Sequence, residues 1–199
     1  MIGNGGSLGS GLAAAVMTEM SVAAGADGFI PITAAHIDGC LFHGQAGLDF
    51  AERLLAEGAR VKVPTTLNVS SLDLLHPLLY RGDAETGESA RRLMDVYEAM
   101  GCEPTWTCAP YQLQQRPGFG QQIAWAESNA IVFANSVLGA RTNRYGDFLD
   151  IACAVTGVAP FYGLHTDRGR LGTLIVTLVD LESGWLDADW FYPVLGSLL

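Results

Sequence analysis

Positive charge is scarce in this chain: 11 Lys and Arg stand against 21 Asp and Glu in 199 residues, a formal net charge of −10. Binding to a nucleic acid duplex rests on neutralising phosphates. With no basic cluster to do so, nucleic acid is excluded as a partner. Long apolar runs are lacking too. No stretch reaches membrane-spanning length, and the N-terminus has no basic region of a secretory leader, so no membrane partner is expected. Cysteine is sparse: Cys40, Cys102, Cys108 and Cys153 are far apart. Neither a zinc-finger spacing nor a disulfide scaffold is present. The chain reads as a reduced, soluble, cytoplasmic protein.

What is abundant is apolar residues, at 49%, and glycine, at 24 residues. That length and composition suffice for one good-sized packed domain or two small ones. The glycine-rich opening "GNGGSLGSG" (3–11) looks like a phosphate loop. No strand precedes it and no Lys follows, so neither phosphate-loop nor dinucleotide patterns are met, and a flexible lead-in is expected. "LAAAVMTEMSVAAGA" then reads as a helix ended by Gly25, and residues 1–28 form a lead-in and helix ahead of a main domain over 29–199.

In that domain "FIPIT" is a short strand, followed by a polar loop "AAHIDGCLFHG". "GLDFAERLLAEGA" places Leu48, Ala51, Leu54 and Leu55 at helical spacing, with Gly58 as the stop. "RVKVPTTLN" is a strand, "SLDLLHP" a Ser-capped helical turn closed before Pro77, and "YRGDAETGES" a polar loop. "ESARRLMDVYEAMG" is an amphipathic helix with Leu93, Val96, Tyr97 and Met100 on one face, and "EPTWT" is extended. The run from Gly120 to Leu138 reads as one helix, "DFLDIACAVTG" as another, "TLIVTLVDL" as a β-branched strand, and "ADWFYPVLGSLL" as a helix or hairpin. The alternation predicts an α/β layered domain. The ending "FYPVLGSLL" carries no stop signal and no polar tail, so the chain reads as a segment of a larger fold.

Four groups of residues could carry chemistry. His36 and Asp38 fall in a loop after a strand, where ligands of α/β sheets sit; the same pattern suits a His packed on its own loop with Asp38 capping a turn. His43 adds a second imidazole or a solvated loop residue. Thr65, Thr66 and Asn68 are neutral donors and acceptors that could hold a carboxylate or hydroxyl, or simply end a threonine-rich strand. Cys108 could be an iron ligand, the nucleophile of a Cys–His hydrolase paired with His36, His43, His76 or His165, or an inert buried thiol. Glu127, on a helix face with Ile131 and Ala134, would point into packed structure, with a raised pKa or a cation partner. Arg141 or Arg144 could supply that cation or bind an acidic substrate. Asn135, Ser136, Thr142 and Asn143 could complete a polar pocket, and the whole group could equally be a buried ion-pair network.

Taken in order, "AHIDGCLFHG", "VPTTLN", "TWTCAPY", "AWAESNAIVFANSVLGARTNR" and "YGLH" resemble the aconitase X family, from about Phe29 to beyond His165. The resemblance implies a hydro-lyase with an iron–sulfur cluster or a single iron held by three cysteines. Cys108 matches the first; Cys40, Cys102 and Cys153 do not match the other two, which belong to sequence outside this chain. It also implies a small swivelling domain or subunit carrying a catalytic serine. By motif, Gly39, Cys40, Leu41, Asn68 and Val69 would line the substrate site, the first three through their backbone. Bacterial members dehydrate cis-3-hydroxy-L-proline to 1-pyrroline-2-carboxylate and archaeal members dehydrate mevalonate 5-phosphate. Archaeal members have a serine-rich version of residues 38–41 and a proline where Val69 stands, so the bacterial reaction is expected, with this chain inactive alone. A non-catalytic binding module is the rival expectation.

Overall fold

The structure is a computed structural model that describes residues 11–199; the expected lead-in over residues 3–10 lies outside the described residues. Its centre is a three-stranded parallel sheet in the order β3-β2-β4. The strands are β2 (Ala35–Ile37), β3 (Thr65–Leu67) and β4 (Ala124–Trp125). A second, antiparallel pair joins β1 (Phe29–Pro31) to β5 (Val158–Pro160). Helices α1 (Leu12–Ala23) and α5 (Leu149–Thr156) pack on each other, as do α2 (Gln45–Ala56) and α3 (Ala84–Ala99). This is the expected α/β architecture, with helices alternating with short strands.

The sheet reaches further than its named strands. Glu103 Nα donates to the Thr65 carbonyl at 2.8 Å and Thr107 Nα to the Leu67 carbonyl at 3.2 Å, so the extended "EPTWT" run lies along β3. On the opposite edge Ile123 Nα donates to the Arg141 carbonyl at 3.0 Å, and a parallel bridge joins Gln122 to Arg141. Side chains from these strands and helices, among them Met17, Ile37, Leu54, Leu67, Leu93, Met100 and Ile151, close into one apolar cluster. β2 is buried at all three positions, as expected of a central parallel strand covered on both faces.

The helix stops behave as the glycines suggested. Gly25, Gly58, Gly101 and Gly157 all have positive φ, between 61° and 98°, a left-handed exit that glycine makes without a Cβ penalty. Asp83 caps α3 by accepting from Thr86 Nα at 2.8 Å, so the helix begins inside the segment expected to be a loop.

Four expectations need correcting. His36 is in β2 rather than a loop; apolar alternation was too short to expose a three-residue strand. The run from Gly120 to Leu138 is not one helix: it opens as β4, turns at Glu127, and becomes α4 (Ser128–Phe133) with a π-turn over Ala134–Leu138. Its apolar character reflects burial in both halves, which periodicity cannot divide. "SLDLLHP" does not end before Pro77; Asp73 accepts from Leu75 Nα and His76 Nα, and the helical turn is Pro77–Leu79. "TLIVTLVDL" forms no strand; Leu174, Ile175, Val176, Leu178 and Val179 are exposed. β-branched residues favour a pleated surface only where a neighbouring strand provides one. The last segment is helical, as α6 (Phe191–Leu198).

Candidate functional site

The carboxyl ends of the parallel strands converge. β2 runs into Asp38, β3 into Asn68 and β4 into Glu127, each one or two residues beyond its strand. Crevices outside these ends are where open α/β sheets bind ligands. The Asn68 side-chain amide bridges the other two: its nitrogen donates to Glu127 Oε2 at 2.6 Å and also to Asp38 Oδ1. A neutral residue with two N–H donors thus holds two carboxylates together. Asn68 is itself 2% exposed.

Burial pushes the Asp38 carboxyl above its ordinary value, the Asn68 hydrogen bond opposes that, and the Glu127 and Asp147 charges add to it. Glu127 does not sit on a helix face as expected. It is the residue before α4, in extended backbone with φ −65° and ψ 129°, and this turn swings its carboxylate to Asn68.

The loop after β2 is fixed from beneath by Asp150, a residue that sequence reasoning missed. It sits in the first turn of α5, fully buried, and accepts from Asp38 Nα at 2.8 Å, Gly39 Nα at 3.2 Å and Ile151 Nα at 2.6 Å. Three N–H donors favour its anion, but burial is the larger effect and raises the carboxyl from 3.8 to about 7. Only an acidic residue inside the apolar "DFLDIACAV" hinted at it. The folded state therefore binds a proton near pH 7 that the unfolded chain binds only near pH 4. Stability from this proton is fully present below about pH 4 and is lost as pH rises through 7, with a slope of at most about 1.4 kcal/mol per pH unit. Urea unfolding of the Asp150→Asn protein, compared with wild type at pH 5 and pH 7, is expected to show that difference removed. An unchanged pH difference would refute it.

Cys40 ties the same loop to the β3 loop. Its thiol donates to the Asn68 carbonyl at 3.3 Å, and burial drives its pKa well up. A side chain at Gly39 would be tight: a Cβ there would stand 3.1 Å from the Tyr97 hydroxyl and 3.6 Å from Asp147 Cα. Leu41 is half-buried and Val69 exposed, flanking the cluster.

The other candidates are placed differently. His36 is fully buried; its Nδ1 bonds Thr66 Oγ1 at 2.8 Å and its Nε2 has no partner among the described residues. Burial lowers its pKa to about 4, so the ring is neutral at pH 7. Its hydrogen bond thus runs along the sheet to Thr66 rather than to the Asp38 cluster. Asn135 donates to the Ile131 and Thr142 carbonyls, both at 2.9 Å, and accepts from Arg170 at 2.8 Å. Thr142 accepts from Trp125 Nα at 3.1 Å, and Asn143 donates to the Tyr162 carbonyl at 3.0 Å. Arg141 pairs with Asp167 at 2.6 Å. These residues fasten the edge beside β4, the ion-paired network held open above. Ser136 and Arg144 are exposed, and Arg144 forms no ion pair among the described residues.

Cys108 follows the edge segment along β3 and is exposed. Its carbonyl accepts from the Asn129 side chain at 3.0 Å, which ties its loop to the first turn of α4, two residues past Glu127. None of the four histidines hydrogen-bonds to it among the described residues: His36 faces Thr66, His76 pairs with Asp73, His165 bonds Tyr145 and Gln122, and His43 lines a cavity beyond Gly39. That geometry gives the hydrolase no general base. The chain's donors do not by themselves fit an iron or iron–sulfur group. No cluster of three His, Cys, Asp or Glu suited to a metal occurs among the described residues. The other three thiols are buried and held protonated, Cys102 with its pKa raised to about 12, whereas a ligating thiol must be a thiolate. One exposed thiol is one corner of such a site.

Among the described residues, no helix is long and apolar enough to cross a membrane. A family model described as Aconitase X first domain matches residues 3–168. The chain is 50% identical over 187 residues to a cis-3-hydroxy-L-proline dehydratase of Pseudomonas aeruginosa, which covers 94% of this chain and 32% of that protein. It is 41% identical over 174 residues to the phosphomevalonate dehydratase large subunit of Thermococcus kodakarensis, covering 86% of this chain and 42% of that one. The crystal structure of Thermococcus kodakaraensis aconitase X in its holo-form superposes with a TM-score of 0.71 at 41% identity, over 79% of this chain and 39% of that chain. The chain thus spans about a third of the length of the Pseudomonas relative.

Proposed function

The chain belongs to the aconitase X family, and on that premise we propose that it forms the part of a hydro-lyase that takes the α-proton from cis-3-hydroxy-L-proline. The observation that carries this reading is the Asp38–Asn68–Glu127 cluster at the ends of three adjacent parallel strands. In the proposed reaction the C2 proton passes to this carboxylate pair. The C3–O bond breaks, the hydroxyl leaves with a proton as water, and the resulting enamine tautomerises to 1-pyrroline-2-carboxylate. Burial, with the Glu127 charge beside it, raises the proton affinity of Asp38, which suits a base working against a weakly acidic carbon.

Backbone groups of Gly39, Cys40 and Leu41, with Asn68 and Val69, line the substrate in this reading, and Asp150 keeps that loop in place. Arg144, exposed and free of ion pairs among the described residues, holds the substrate carboxylate; Arg141 has Asp167 instead. Cys108 contributes one ligand of an iron or iron–sulfur group whose other ligands, like the swivelling domain or subunit, lie outside the chain. No step is derived through that group. The product forms in the cytoplasm, where such a thiol stays reduced. The identity of 50% with the hydroxyproline dehydratase, against 41% with the phosphomevalonate enzyme, supports this substrate. So does charge: a phosphate dianion would meet Asp38, Glu127 and Asp147.

The test is a chimera in which this chain replaces the matching third of the Pseudomonas dehydratase. It is expected to convert cis-3-hydroxy-L-proline and leave mevalonate 5-phosphate untouched, while the 199-residue chain alone turns over neither. A folded chimera with no dehydratase activity, or a chain active alone, overturns the reading.

A further inference from the structure

A cavity of about 290 Å³ opens beside Gly39, its lining including Leu41, His43, Tyr97, Asp147 and Phe148 with Gly39 itself. It shares Gly39 and Leu41 with the loop after β2. Tyr97 is 2% exposed, yet its hydroxyl makes no hydrogen bond among the described residues. That hydroxyl lies over Gly39, where a Cβ would stand 3.1 Å from it, and Asp147 Cα lies 3.6 Å from the same point. The ring is buried while the residue borders the cavity, so the hydroxyl is left to meet whatever enters it. Asp147 is placed by a strained turn: Phe148, next in the chain, has φ 74°, and its ring packs edge-on against Phe50 at 4.7 Å. Such non-glycine positive φ values persist where the surroundings over-determine them. The wall is acidic, since Asp147 adds its charge to those of Asp38 and Glu127, with His43 opposing.

From this geometry we propose that the cavity beside Gly39 is the subsite for a protonated secondary amine, with Asp147 its ionic partner and the Tyr97 hydroxyl its second acceptor. This rests on the hydroxyproline reading above and deepens it by naming the residues that select an amine-bearing ring. An ammonium carries only donors, and the cavity offers a carboxylate and a phenol oxygen free to accept. Asp147 and Tyr97 are specificity-determining here: they hold the ring nitrogen, and the carbon bonded to it gives its proton to the neighbouring carboxylate pair. A ring with oxygen in place of nitrogen has no donor to offer and leaves the carboxylate unpaired.

The experiment is ligand binding to the 199-residue chain, followed by amide chemical-shift perturbation in ¹⁵N-labelled protein. Three probes are compared: cis-3-hydroxy-L-proline, its oxygen isostere 3-hydroxytetrahydrofuran-2-carboxylate, and mevalonate 5-phosphate. The amine is expected to bind at least about tenfold more tightly than the isostere, as a charge-assisted hydrogen bond provides. Asp147→Asn is expected to erase that preference, and Tyr97→Phe, which keeps the buried ring, to reduce it. Thermal melting of both variants checks that the fold is retained. Equal binding of amine and isostere, or a preference that survives Asp147→Asn, overturns the amine subsite while the hydroxyproline reading stands. Tighter binding of mevalonate 5-phosphate overturns both, and no binding of any probe overturns the amine subsite.

Discussion

Glu127→Gln and Asp38→Asn are each expected to cut turnover of the chimera by about a thousandfold, within the range that general acid–base catalysis contributes. Both amides keep the size of the side chain and remove the charge that accepts the proton. They also bring a donor to a group that itself donates: Asn68 points its nitrogen at both carboxylates, so an amide nitrogen placed there would face another N–H. The loss should appear in kcat more than in KM, because the proton is transferred only in the transition state. The double variant is expected to lose little more than either single one, since the two carboxylates act as a unit through one bridging amide. Steady-state kinetics on the three proteins checks this. A strictly multiplicative loss, or a variant with near-native kcat, shows that the pair does not share the proton.

The second large effect concerns Cys108. In the chimera, Cys108→Ser is expected to lower bound iron, measured by metal analysis and the visible absorbance of the purified protein, and to cut turnover by about a hundredfold or more. The fold should be unaffected, because the side chain is exposed and its loop is held through the backbone carbonyl by Asn129. Cys40→Ser, Cys102→Ser and Cys153→Ser are expected to leave iron content unchanged. Those thiols are buried, and the loss there would appear as stability. A Cys108→Ser chimera with full iron and full activity removes the ligand assignment.

The two effects meet on one surface. The edge segment that delivers Cys108 and the strands that deliver Asn68, Asp38 and Glu127 run in the same direction. Their carboxyl ends therefore share one rim of the sheet. An antiparallel arrangement would have sent the carboxyl ends of alternate strands to opposite rims. The two-carboxylate cluster and the exposed thiol are thus a consequence of parallel order as much as of residue identity.

Much of this was written in the sequence. The α/β alternation, the helices over α1, α2, α3 and α5 and their glycine exits all follow from local pattern and turn chemistry. So did the residues themselves: Asp38, Asn68, Glu127 and Cys108 stood out as polar or reactive groups beside short extended runs, and ordered motifs around them carried the family resemblance. Local sequence could not give the pairing. It set Glu127 on a helix because an apolar run hides where a two-residue strand ends. It left Arg141, Asn135, Thr142 and Asn143 open between pocket lining and an ion-pair network, because their partners, Asp167, Arg170, Trp125 and Tyr162, are fixed only by the packed edge. Asp150 and Tyr97 were read as helix residues, since burial against a distant loop leaves no mark within one turn of chain. The sequence by itself determined the class of fold and the inventory of chemical groups, because propensity, capping and side-chain chemistry are local. Only the tertiary structure decided which groups face one another, because strand order and burial are set by contacts between residues far apart in the chain.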